Sequence, residues 1–221
     1  MSFVVVVTGL VAEAHVADVP SGRVIAGGAD PVRLEAELDR ALSDGAGAVL
    51  SFGLAAGLEA GKAPGSLVIP DEVVGPNNRY ATDRRWSERM RVALEIADRR
   101  PIAGVDAPLI RAADKLQLHE TTGAVAADME SCSAARLALR AGRPFAVLRV
   151  VCDPAERGLP RAALVGMKAD GRVNLFAVLA SLLRHPGQLP DLMRLAAEAR
   201  TAMRVLTHCR RALGPDLGFT P

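Results

Sequence analysis

The chain begins with a continuous apolar run, Phe3 to Val7, rich in β-branched residues and ending near Gly9. A run with no polar alternation predicts a strand covered on both faces. A second such run, Ala48 to Phe52, stops at Gly53. Between them Leu34, Leu38, Ala41 and Leu42 recur at helical spacing within Pro31 to Leu42, with Gly45 and Gly47 as the stop. Further apolar segments are Ser66 to Pro70 and Phe145 to Val151, the latter following a helix predicted over about Asp128 to Ala141 and closed by Gly142. Strands alternating with helices across short glycine-rich connections predict an α/β sandwich with a largely parallel sheet. Asn77 to Tyr80 reads as a surface excursion and Trp86 to Asp98 as a helix. Two more helices are predicted, Val173 to Leu183 and about Leu189 to Leu213, separated by His185-Pro186-Gly187. No linker, repeat or low-complexity stretch divides the sequence, so one domain is expected over residues 1–213, with a short tail at 214–221.

Composition narrows the range of functions. At 221 residues the chain is long enough for one substantial core, and 50% hydrophobic against 24% charged residues excludes disorder for its bulk. Aromatics reach only 3%, so Ala, Val, Leu and Ile must build the core, and stacking platforms for single-stranded nucleic acid are scarce. With 27 Lys plus Arg against 25 Asp plus Glu there is no extended positive face by count, and nucleic acid is not an expected partner. Cys132, Cys152 and Cys209 are odd in number and contain no CxxC pair, which argues against a disulfide framework or zinc knuckle and fits a reducing cytoplasm. The apolar N-terminus has no basic flank, and is read as a first strand rather than a signal peptide. His15, His119, His185 and His208 are scattered, so no metal or organic cofactor is implied.

In open α/β sheets ligands gather beyond the carboxyl ends of the strands, and four segments there carry candidate chemistry. The first turn, Thr8 to His15, lacks GxGxxG and GxxxxGK[ST]; its Glu13 is either a functional carboxylate or an acid stabilised at a helix start. The second, Ser51 to Leu58, brings Ala55, Ala56 and Gly57 beside the backbone, as a flat ligand or tight helix packing would require. The third is Asp128-Met129-Glu130-Ser131 at a predicted helix start, where two acids serve capping or function. The fourth is Asp153, directly after the strongest strand and before Pro154, either a general acid or a turn residue.

Taken in order, the glycine turn at Ser51 to Leu58 with Gly65 to Ile69 after it, Ala127-Asp128-Met129-Glu130-Ser131, and Arg149 to Asp153 resemble the superfamily of purine nucleoside phosphorylases and methylthioadenosine/S-adenosylhomocysteine nucleosidases. The compact form, with Thr122-Gly123-Ala124 leading into Asp-Met-Glu-Ser and a long helical tail, is similar to the hopanoid-associated phosphorylase branch. The resemblance implies a three-layer α/β/α sandwich with a mixed, largely parallel sheet. It implies adenine release from adenosylhopane by phosphate or water, no cofactor beyond phosphate as a co-substrate, and a homodimer or larger assembly. The alternatives are a hydrolytic nucleosidase for small thioadenosines and a catalytically silent nucleoside-binding protein.

By the same resemblance Glu130 accepts the ribose hydroxyls, Met129 packs on the sugar, and Asp153 meets N7 of the purine. An ionised carboxylate has the lone pairs for two vicinal hydroxyls. Cys152 stands where the family commonly has serine. Ala55, Ala56 and Gly57 would line the base pocket, with Val105 to Leu109 opposite and Asp106 on the purine amino group. The family's phosphate-binding arginine and serine have no counterpart at Ser51 and Leu54, leaving Gly9, Gly27, Gly28, Arg33 and Arg149 as candidate phosphate donors. Nucleosidases activate water with a glutamate near the first turn; Glu13 is close, although an ungapped match from Gly9 reaches Ala14. Between Arg184 and Arg211 basic residues alternate with Leu192, Leu195, Ala199, Met203 and Leu206, a pattern for an anionic membrane surface or for packing on the body or a partner subunit.

Overall fold

A computed structural model describes residues 3–20, 22–28, 30–160 and 186–220. In strand β1 (Phe3–Thr8), Val5 and Val7 enter one apolar cluster while Val4 and Val6 enter another, because successive side chains point to opposite faces. Strand β9 (Phe145–Asp153) divides in the same way, with Val147 and Val151 on one side and Ala146, Leu148 and Val150 on the other. Two buried faces explain why these runs are apolar throughout.

The first face is covered by α2 (Pro31–Ser43), through Leu34, Leu38, Ala41 and Leu42, and by α5 (Ser131–Arg140), through Ala134, Ala135, Leu137 and Ala138. Asp30 caps α2 by accepting from the Arg33 amide at 3.0 Å, with Pro31 at the first position. The opposite face is covered by α1 (Val11–Ala17), α3 (Arg84–Leu94) and the last helix, α6 (Leu189–Ala212), which buries Ala202, Leu206 and Cys209. Residues 214–220 continue onto α3: Leu217 is buried, Trp86 Nε1 donates to its carbonyl at 2.9 Å, and the Trp86 and Phe219 rings lie 4.9 Å apart.

Between these layers runs a nine-stranded sheet containing β2 (Arg23–Ala26), β3 (Ala46–Gly57), β4 (Leu67–Val68), β5 (Glu72–Val74), β6 (Arg79–Ala81), β7 (Ile102–Gly104) and β8 (Ala126–Asp128) as well as β1 and β9. β1 pairs in parallel with β2 and β3, β3 with β9, β5 with β7, and β7 with β8; β3–β8, β4–β9 and β5–β6 are antiparallel. The architecture is a three-layer α/β/α sandwich on a mixed, largely parallel sheet.

Several local expectations change. Ser51 to Gly57, read as a turn, is the second half of β3, whose parallel pairing with β9 continues from Val49 to Ala56. Its glycines serve close approach between strands rather than chain reversal. Asp128 ends β8, so α5 starts three residues later than the acids suggested. Arg79 to Ala81, placed in a surface excursion, forms the edge strand β6, and α3 ends at Leu94, where Glu95 takes a positive φ of 60°. Helix α4 (Ala112–Thr122), closed by Gly123 in the left-handed conformation at φ 72°, carried no clear apolar stripe and was not anticipated. The helix predicted over Val173 to Leu183 lies outside the described residues.

Candidate active site

Glu13 sits in the first turn of α1 and is buried, with its carboxylate turned back toward the end of β1. Oε2 accepts from the amides of Gly9 and Leu10, each at 2.8 Å, and Oε1 from the Leu54 amide of β3 at 2.9 Å. One carboxylate therefore ties two parallel strands and a helix start together. Burial pushes its pKa above the ordinary carboxylate value; the nearby Arg149 guanidinium and the three amides oppose that shift.

Arg149 lies in the middle of β9, opposite Gly53 in register, and is completely buried. Its Nη2 donates to Ser51 Oγ at 2.7 Å and to Glu130 Oε2 at 3.2 Å, and Nη1 to the Leu54 carbonyl at 3.2 Å. Nε lies 2.6 Å from Asp128 Oδ2, an ion-pair contact whose angle is too poor for a hydrogen bond. Gly53 makes this arrangement possible: a Cβ there would stand 2.7 Å from Glu13 Oε2 and 2.8 Å from Arg149 Nη1.

Asp128 and Glu130 reach the guanidinium from the β8–α5 junction. Asp128 Oδ1 accepts from the Glu130 and Ser131 amides at 3.1 and 2.8 Å, a cap at the start of α5. Ser131 Oγ bridges to Ser51 Oγ at 2.9 Å. Glu130 faces the first turn, where a Cβ on Gly9 would sit 2.9 Å from Oε1. Its pKa is pushed up to about 8, by burial first, with the charges of Asp128 and Glu13 adding and Arg149 opposing. Three buried carboxyl groups gather near one guanidinium, and a carboxyl group that keeps its proton to about pH 8 can both donate to and accept from a hydroxyl.

The expected phosphate donors have other partners. The Gly27 and Gly28 amides donate to the Thr8 and Gly9 carbonyls at 2.7 and 2.8 Å, and the Gly9 amide is held by Glu13. Arg33 Nη2 binds the Ala26 and Gly27 carbonyls at 2.7 and 2.9 Å, while Nη1 reaches Glu37 at 3.1 Å. Arg149 is committed to the carboxylates. What looked like an anion nest is internal bonding of the fold.

Asp153 is the last residue of β9, four residues and ~13 Å of strand beyond Arg149. It is buried, but against a cation: Lys115 of α4 pairs with Oδ2, while the Cys152 thiol donates to Oδ1 at 3.2 Å. Burial and the charge of Asp153 push the Cys152 thiol well above its usual pKa, so it stays a donor. A β-bulge at Ala55/Ala56 pairs Ala56 with Asp153, and Gly57 packs where a Cβ would meet the Asp153 carbonyl at 3.1 Å. Beside Asp153 a pocket of about 260 Å³ opens toward α6, lined by Pro154, Arg157, Asp191, Arg194, Leu195 and Glu198. A larger concavity of about 680 Å³, lined by residues of α3 such as Arg84, Arg85 and Val92, touches none of these groups.

Of the other expected site residues, Met129 is half-buried next to Glu130, Ala55 is buried, Ala56 is half-buried, and Asp106 is exposed in the loop after β7. Lys115, Ser51 and Ser131 were not anticipated as partners. Nothing in a largely polar helix marks one lysine as buried. Among the described residues no cluster of His, Cys, Asp and Glu is arranged to hold a metal ion.

The chain belongs to the phosphorylase superfamily, whose family model matches residues 5–184, and it is an enzyme of the nucleoside phosphorylase or nucleosidase class. No curated protein matches it. Among solved structures it is similar to the 5′-methylthioadenosine/S-adenosylhomocysteine nucleosidase of Streptococcus pneumoniae, at 14% identity, TM-score 0.63, 95% of this chain and 99% of the other. The corresponding Helicobacter pylori nucleosidase is 15% identical with TM-score 0.62, over 95% of this chain and 97% of that one. Futalosine hydrolase of Helicobacter pylori is 17% identical with TM-score 0.59, covering 69% and 88%.

Proposed function

We propose that this protein hydrolyses the N-glycosidic bond of an adenosine-like nucleoside, with water rather than phosphate as the nucleophile. The observation that carries this reading is that the expected phosphate donors, the Gly9, Gly27 and Gly28 amides, Arg33 and Arg149, are bonded within the fold, while the buried carboxyl groups of Glu13 and Glu130 gather at the first turn. Glu130 accepts the 2′ and 3′ hydroxyls. As the C1′–N9 bond breaks, its electron pair passes into the purine and the sugar gains oxocarbenium character, which the carboxylates oppose in charge. Glu13 takes a proton from water while the water oxygen bonds C1′, and Asp153 gives a proton to N7. The products are adenine and the free sugar.

The resemblance to the hopanoid-associated branch supports adenosylhopane as the substrate, and three unbridged cysteines support a cytoplasmic setting. The exposed Leu189 and Met193, beside Arg194 on α6, support peripheral contact with a lipid surface, and an assembly of two or more copies belongs to the same reading. Among the described residues no helix is long and apolar enough to cross a membrane.

Adenine release from adenosine, methylthioadenosine and an adenosyl-lipid, each with and without phosphate, tests the proposal. We expect release independent of phosphate and fastest on the adenosyl-lipid. Release that requires phosphate would overturn hydrolysis, and preference for methylthioadenosine would overturn the lipid assignment.

A further inference from the structure

The feature that the reaction above leaves unused is Lys115. It is the only buried residue of α4, and it is wholly inaccessible. Leu118 of α4 packs on a small apolar cluster, but the one fully buried side chain of the helix is an ammonium, which incurs a desolvation cost of several kcal/mol unless every donor is matched. Here all three are matched: Nζ pairs with Asp153 Oδ2 and donates to the carbonyls of Pro154 at 3.0 Å and Arg157 at 2.9 Å. A clamp for the turn after β9 would need only the two carbonyls. The third donor is spent on the carboxylate placed at the leaving base.

We propose that Lys115 is a positioning residue for Asp153, orienting its carboxyl group through Oδ2 and supporting the negative charge left there when its proton moves to the purine. This rests on the glycosidic cleavage proposed above. The step is balanced: the Asp153 O–H bond breaks, the N7–H bond forms, and the C1′–N9 electron pair enters the ring system. The residual carboxylate then lies between the Lys115 ammonium and the Cys152 thiol, with no proton taken from either.

The test compares two leaving groups in the full-length protein: adenine from a nucleoside, which leaves best when protonated, and 4-nitrophenolate from 4-nitrophenyl β-D-ribofuranoside, which needs no proton. For Lys115→Met we expect kcat for adenine release to fall about 100-fold with KM changed less than about 3-fold. Adenine release should slow about 30-fold more than nitrophenolate release, and Lys115→Arg should recover part of the difference. Added to Asp153→Asn, Lys115→Met should cost little more, because both act through one group. Equal losses on both leaving groups, or additive losses in the double variant, would overturn the proposal. If the parent does not cleave the nitrophenyl riboside, the double variant and the kcat against KM split decide. If Lys115→Met does not fold, Lys115→Arg measured on both leaving groups carries the test. No adenine release by the parent from any nucleoside would defeat the functional reading itself, whereas release unaltered in Lys115→Met would defeat only this inference.

Discussion

At the scale of single residues, Arg149 shows how one buried cation organises opposing acids. Alone it would be costly to bury; here it donates to Ser51, Glu130 and the Leu54 carbonyl and lies against Asp128 as an ion pair. Burial outweighs the attraction of Arg149 at both Glu13 and Glu130, and at Glu130 the charges of Asp128 and Glu13 add to it. For Glu13→Gln, which keeps the shape but removes the proposed base, kcat should fall by about 10²- to 10⁴-fold with little change in KM, measured by adenine release. The raised pKa of Glu130 has a consequence for stability. The folded chain holds that proton more tightly than the unfolded chain, so stability is greatest below the ordinary carboxylate pKa and declines as pH rises toward about 8. Thermal melts of the free protein should show Tm falling between pH 5 and pH 8, and Glu130→Gln should flatten that slope. A slope unchanged in the variant would place the titration elsewhere.

At the scale of elements, the pairing of β3 with β9 matters most, because it places Gly53 opposite Arg149 and Ala56 opposite Asp153. Gly53→Ala would push a methyl group into Glu13 and Arg149, so it should cost activity at least as severely as Glu13→Gln and lower Tm as well. The apolar runs of β1, β3 and β9 and the spacing in α2 were legible because burial on two faces, or on one stripe, leaves a periodic mark in sequence. β4 falls within the apolar segment Ser66 to Pro70, but the short strands β5 to β8 were not legible: three residues are too few for a period to show. α4 was missed for a related reason, since its anchor is a lysine. Helix α6 is amphipathic for packing in its second half, where Leu206 is buried beside Ala202 and Cys209. Leu206→Ala should destabilise the protein by about 2–5 kcal/mol in chemical denaturation without altering KM.

At the scale of the whole molecule, two apolar clusters sandwich one sheet, and the candidate chemistry lies toward the carboxyl ends of β1, β8 and β9 together with the middle of β3. That placement joins residues from 13 to 153 in one neighbourhood, which no local pattern can announce. The sequence by itself determined the α/β class, the two-faced central strands and the segments bearing Glu13, Glu130 and Asp153, because periodicity and turn chemistry act between near neighbours. Only the tertiary structure decided what those acids meet. It turned a supposed glycine loop into a strand, occupied the expected phosphate donors with internal hydrogen bonds, gathered three acids on Arg149, and set Lys115 against Asp153. Those outcomes depend on strand register and long-range electrostatics, and both exist only once the chain has closed on itself.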